Sequence, residues 1–153
     1  MNKHIIGVIG GREVKKELLT VAETVGRMIA ERGILLICGG LSGVMEAVSR
    51  GAKQAGGTTI GILPHDTKDK ANRYIDIPIA TGFGIGRNII IVRSSDVIIA
   101  IGGEYGTLSE IAFALQLGKP VIGIETWEIN GVIKAIDADD AVNKAVGFLT
   151  SAS

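Results

Sequence analysis

Six short apolar runs punctuate the chain, at residues 4–9, 34–38, 58–63, 75–79, 97–101 and 121–124. Most are continuous rather than alternating, the pattern of strands buried on both faces. Between them the apolar positions recur at steps of three and four. Val14, Leu18, Val21, Val25 and Met28 form one such stripe, and Gly33 stands where a helix ends in a left-handed residue. Ser42 is placed to N-cap a second helix running to about Ala55, closed by Gly56-Gly57. Residues 108–117 read as another helix, stopped near Gly118 and barred from continuing by Pro120. Asp139 or Asp140 caps a last helix in which Val142, Val146 and Leu149 share a face. Pro78 sends the run at 75–79 to a sheet edge or end, and the polar stretch 66–74 is a surface loop.

Residues 88–92 fit either a strand, forming a hairpin with 97–101, or a helix. The surrounding strand–helix alternation favours a parallel sheet, whose neighbours need a crossover, and therefore the helix. The pattern predicts an α/β fold, a doubly wound and mostly parallel sheet in a single domain spanning 1–153. Glycines cluster after strands, at 10–11, 39–40 and 102–103, with a further glycine loop at 82–86. Ligands of such sheets bind outside the carboxyl ends of the strands, so these turns line the edge where a site is expected.

Composition narrows the function classes. Sixteen basic and sixteen acidic residues cancel, and aromatic residues make up only 4% of the chain, which argues against a nucleic-acid partner. The single cysteine, Cys38, excludes an internal disulfide and a multi-cysteine metal site, and no His/Cys/carboxylate spacing points to a metal. The start lacks the long apolar region of a signal peptide, and no run approaches the ~20 residues of a membrane span. The expectation is a cytoplasmic protein with no membrane partner.

Residues 101–110, Ile-Gly-Gly-Glu-Tyr-Gly-Thr-Leu-Ser-Glu, carry the strongest chemical signal. Strand, glycine turn and helix start form a geometry that grips phosphate, because glycine lets backbone N–H groups approach an anion and the helix dipole favours its charge. Gly102, Gly103, Gly106 and Thr107 are the candidate phosphate-binding residues, and Glu110 is a candidate catalytic carboxylate. Thr107 and Glu110 also match a capping box, in which they satisfy each other without a ligand. Arg87 closes the glycine loop near a helix start, where a cation opposes the helix dipole unless an anion offsets it. Gly10, Gly11 and Arg12 follow the first strand, and Gly39 and Gly40 follow the second, as further ligand walls. Neither a dinucleotide fingerprint nor a Walker A motif is present. His65 ends a strand near the presumed site, Cys38 reads as packing, and Trp127 either stacks on a flat ligand or packs.

These motifs resemble the LOG-like ("lysine decarboxylase-like") Rossmann family, which includes cytokinin-activating nucleotide phosphoribohydrolases and molybdenum cofactor carrier proteins. The hydrolases carry Pro-Gly-Gly-x-Gly-Thr-x-x-Glu after an Arg-Lys pair, and Gly102, Gly103, Gly106, Thr107, Glu110 and Arg87 match it. Ile101 stands in place of the Pro, Glu104-Tyr105 in place of one residue, and Asn88 in place of the Lys. Residues 39–47, Gly-Gly-Leu-Ser-Gly-Val-Met-Glu-Ala, are similar to the small branch that contains the cofactor carriers. The resemblance implies a protein that binds a phosphorylated nucleotide or a pterin-type ligand such as the molybdenum cofactor. Its alternative implication is a phosphoribohydrolase that cleaves the N-glycosidic bond of a nucleoside 5′-monophosphate, with Arg87 and Glu110 as catalytic residues. A remote third is single-stranded nucleic-acid binding, through the related Rossmann domain of DNA-processing protein A. Leu108, Ile111, Ala112, Phe113, Ala114, Leu115 and Leu117 surround their helix with apolar surface, which predicts a homodimer or higher homo-oligomer.

Overall fold

The computed structural model describes residues 3–151. Seven strands form one parallel sheet: β1 (Ile5–Gly10), β2 (Leu35–Cys38), β3 (Thr59–Leu63), β4 (Ile77–Ala80), β5 (Val97–Ile101), β6 (Val121–Ile124) and β7 (Ile133–Lys134). Their spatial order is β4-β3-β2-β1-β5-β6-β7. The five α-helices are α1 (Lys16–Glu31), α2 (Val44–Gln54), α3 (Arg87–Ser94), α4 (Tyr105–Gln116) and α5 (Ala138–Ser151). The chain winds outward from β1 to β4, returns through α3 to β5 beside β1, and winds outward again to β7. The reversal between β1 and β5 opens a crevice at their carboxyl ends, the position where doubly wound sheets bind ligands.

Alternation within the strands divides the core. Ile6 and Val8, Leu36 and Cys38, and Val97, Ile99 and Ile101 pack with α1, α2 and α5 on one face of the sheet. Ile9, Ile37, Ile98 and Ala100 pack with α3 and α4 on the other. Helices α1 and α2 cross at two glycines. A Cβ on Gly26 would lie 1.9 Å from the Val48 carbonyl oxygen, and one on Gly51 would lie 1.9 Å from that of Glu23.

The α/β fold and all six expected strands are present, and residues 88–92 are helical. The seventh strand, β7, was not expected, because two residues beside a glycine loop carry no periodic signal. Several capping assignments are corrected. Gly43, with φ of 71°, occupies the N-cap of α2, and Ser42 lies outside the helix without capping it. Asp137 caps α5 by accepting the Asp140 N–H at 2.8 Å, and Asp140 in turn accepts the Ile136 N–H at 3.0 Å. Helix α4 starts at Tyr105 with Glu104 as N-cap, three residues before the expected start, so Thr107 is inside the first turn and no capping box forms. Pro78 sits in the edge strand β4, opposite Gly61.

Candidate functional site

A cavity of about 440 Å³ opens at the carboxyl ends of β1 and β5. It gathers the β1–α1 turn (Gly10, Gly11, Arg12, Glu13), Gly39 after β2, Arg87 and Asn88 at the start of α3, and Glu104, Gly106, Thr107 and Glu110 of α4 and its cap. Met45, in the first turn of α2, also lines it. Three helices, α2, α3 and α4, therefore present their first turns to one space. None has a side-chain cap at its N-cap residue, Gly43, Gly86 or Glu104. The positive ends of the three helix dipoles at this space make it a favourable place for negative charge, although the Val44 N–H is taken by the Gly11 carbonyl and the Arg87 N–H by that of Gly84.

Close packing of the turns shapes the cavity. The Val44 N–H donates to the Gly11 carbonyl at 3.0 Å, and a Cβ on Gly43 would come within 2.4 Å of the Arg12 backbone. The start of α2 thus rests directly on the β1–α1 turn. Gly103 has φ of 102°, and a Cβ there would lie 2.2 Å from Thr107 Oγ1. The turn after β5 folds over the threonine and buries it. The loop after β6 fixes the same turn from outside. Thr126 Oγ1 donates to the Gly102 carbonyl at 2.6 Å, and Trp127 Nε1 donates to the Glu104 carbonyl at 3.0 Å.

Arg87 and Glu110 form the ionisable floor of the cavity. Arg87 is only 9% exposed, and its Nε donates to the Ile62 carbonyl at 2.8 Å. Its Nη1 donates to Asn88 Oδ1, while Asn88 Nδ2 donates to Ser109 Oγ at 3.3 Å, tying α3 to α4. A Cβ on Gly39 would sit 2.6 Å from Arg87 Nη2. Gly39 therefore makes room for the guanidinium. Glu110 is 7% exposed, with no hydrogen bond or ion pair to any described residue. Burial pushes its carboxyl from the ordinary 4.5 up to about 8, against the opposing pull of Arg87. Burial also draws the Arg87 guanidinium down, with Glu110 acting the other way. At neutral pH the carboxyl is protonated and is a hydrogen-bond donor as well as an acceptor. Cys38, fully buried nearby, has its thiol pushed up by burial, and it contacts Ser49 and the Met45 carbonyl. Among the described residues, no group of three or more His, Cys, Asp or Glu is arranged to hold a metal.

Of the residues singled out in the sequence, Gly10, Gly11, Arg12, Gly39, Arg87, Gly106, Thr107 and Glu110 line this cavity. Gly40, Gly102 and Gly103 stand behind it. Gly40 packs on Leu63 and Gly61, Gly102 approaches Leu18 and Val14, and Gly103 covers Thr107. Asn88, Glu13, Glu104 and Met45 also line the cavity without having been singled out as site residues. Asn88 had a signal in its position beside Arg87. The others have none beyond adjacency to glycine turns.

The structure is similar to that of the molybdenum cofactor binding protein from Rippkaea orientalis, with a TM-score of 0.92 and 40% identity over 97% of this chain and 99% of that one. It is also similar to the molybdenum cofactor carrier protein of Chlamydomonas reinhardtii, with a TM-score of 0.87 and 38% identity over 97% and 99% of the two chains. A cytokinin riboside 5′-monophosphate phosphoribohydrolase of Mycobacterium tuberculosis is 34% identical over 120 residues, 72% of this chain and 64% of that protein. The glycine turns, Arg87 and Glu110 that carried the resemblance to LOG-like proteins thus stand in a fold shared with the cofactor carriers, in a chain related in sequence to a hydrolase. The family model of SLOG cluster4 matches residues 3–148, and the chain belongs to that family.

Proposed function

We propose that this protein binds a phosphorylated small molecule, a nucleotide or a pterin-type cofactor, in the cavity at the β1–β5 crevice, and that it acts as a carrier. The observation that carries this reading is the convergence of three helix starts without side-chain caps and of buried Arg87 on one space of about 440 Å³. That volume lies within the range of small-molecule sites. Gly106 and Thr107 face the phosphate, and Arg87 supplies a fixed positive charge. Protonated Glu110 and the amide of Asn88 offer hydrogen bonds to the edge of a heterocycle. The cavity suits the molybdenum cofactor as cargo, since the phosphate and pterin are the parts these donors recognise. Cys38 is turned to Ser49 and is not among the lining residues, so retention rests on those donors. Titration calorimetry with AMP and with the molybdenum cofactor tests the reading. Binding of at least one is expected, weakened about tenfold or more in Arg87→Ala, which removes a charge-assisted contact. No binding of either at millimolar concentration overturns it.

Cleavage of the N-glycosidic bond of a nucleoside monophosphate is a second reading, favoured by one observation: an acidic group, Glu110, buried near Arg87 in the second turn of α4. In that reading Glu110 must lose its proton to stabilise a developing oxocarbenium charge, and ligand binding must supply the energy. Release of free base from AMP by the wild type, abolished in Glu110→Gln, supports hydrolysis. Undetectable release by the wild type rejects it.

We further propose a homodimer that buries the outer faces of α3 and α4. Phe113 and Leu117, toward the end of α4, are 41% and 38% exposed, and Phe83 and Ile85, in the turn leading into α3, are 66% and 87% exposed. No helix among the described residues is long and apolar enough to cross a membrane. We place the protein in the cytoplasm, where lone Cys38 stays reduced.

A further inference from the structure

A second concavity, of about 350 Å³, adjoins the first and shares Arg12 with it. The start of α2 and the turn before it stand between them, with Met45 lining the first cavity and Ser42 and Glu46 lining the second. His65, at the exit of β3, and Lys70 and Asn72, from the loop leading to β4, complete the wall. This wall is held in place. The Asn72 N–H donates to the Gly40 carbonyl at 2.9 Å, and Asn72 Nδ2 donates to the Leu41 carbonyl at 2.8 Å.

Three of the groups lining the space are unused. Arg12 and Lys70 make no hydrogen bond or ion pair with any described residue. Nδ1 of His65 is buried and lacks a partner. The opposing charges are Glu46, on the same wall, and Asp69, beside Lys70. The Thr67 hydroxyl, first, and then Lys70 and His65 hold the Asp69 carboxyl below its usual range. A buried imidazole nitrogen without a partner is costly, and two free cations lining the same space favour an anion there.

We propose that this concavity is a second anion subsite. It receives the distal phosphoryl group of a ligand carrying two linked phosphates, such as a nucleoside diphosphate or a dinucleotide, whose proximal part occupies the first cavity. The assignment rests on the reading of the first cavity as a phosphate site. Arg12 bridges the two phosphoryl groups, Lys70 neutralises the distal one, and His65 and Ser42 hydrogen-bond to its oxygens.

Calorimetric titration of the intact protein with AMP and with ADP, repeated on His65→Gln and Lys70→Gln, tests this. Neither substituted residue lines the first cavity. ADP is expected to bind about tenfold more tightly than AMP, the gain of one charge-assisted contact. Each variant is expected to lose most of that gain while its affinity for AMP is unchanged. ADP binding no tighter than AMP overturns the second subsite and leaves the first intact. A gain that survives both substitutions, or an equal loss for AMP and ADP in both, overturns it as well. If the wild type binds neither nucleotide, the phosphate reading of the first cavity fails and takes this proposal with it.

Discussion

Glu110 is the residue whose chemistry depends most on its surroundings. Its carboxyl is buried at the foot of the cavity, and burial, against the pull of Arg87, holds its proton to about pH 8. The unfolded chain releases that proton near 4.5. Between those values the folded state binds more protons than the unfolded one, so this group costs stability as pH rises from about 4.5 to about 8. Below that window both states are protonated and the group is neutral in effect. Glu110→Gln removes the cost and keeps the shape. Denaturant unfolding should find the variant equal to the wild type at pH 4 and more stable by a few kcal/mol, to an order of magnitude, at pH 8. A constant difference across that range would contradict the buried, protonated state. Sequence alone placed Glu110 near a phosphate-gripping turn and offered a capping box as the other explanation. Its environment was illegible there, because burial depends on how α3 closes over α4. Gly39 shows the same limit. It was picked out as backbone that approaches a ligand, but in the fold its missing side chain is the space that Arg87 Nη2 fills, at 2.6 Å from where a Cβ would stand.

At the level of elements, the strands and helices were readable because each obeys one period. Continuous Ile and Val runs became strands buried on both faces; of the stripe read for α1, Leu18 and Val25 are buried, while Val14, Val21 and Met28 are only partly buried and Ala22 and Ile29 complete the buried face. The unreadable parts are the joints. Helix α4 begins earlier than Thr107 suggested because Glu104, held by the Trp127 indole and the Leu108 N–H, ends the glycine turn sooner. The α1–α2 crossing was equally hidden, since Gly26 and Gly51 look like weak points in their helices. They are the contact itself, each facing the other helix's backbone with no space for a methyl group. Gly26→Ala should therefore destabilise the protein by about 3 kcal/mol despite the better helix propensity of alanine, because two backbones must separate. Thermal melting checks this, and an unchanged or raised midpoint would refute the close crossing.

Across the whole molecule, the winding of the sheet concentrates chemistry at one edge. Turns distant in sequence, at residues 10–13, 39, 87–88 and 104–110, meet only because β1 and β5 are neighbours. The opposite face of α4 is left apolar. Light scattering should give a mass near 32 kDa, twice the 16.0 kDa chain, and Phe113→Glu should return it to the single-chain value. A wild-type mass near 16 kDa would remove the proposed dimer. The loop after β6 has a practical consequence at this scale. Trp127 is the chain's one tryptophan, and its indole donates to the carbonyl of Glu104 at the cavity rim. Any movement of that rim on filling the cavity alters the indole's hydrogen bond and the polarity around it. Its emission should shift in wavelength or intensity as ligand is added and saturate at the stoichiometry found by calorimetry. A flat emission trace at full occupancy would mean that the rim is already in its bound form. The protein thus carries a built-in optical gauge of its own occupancy, readable without a label.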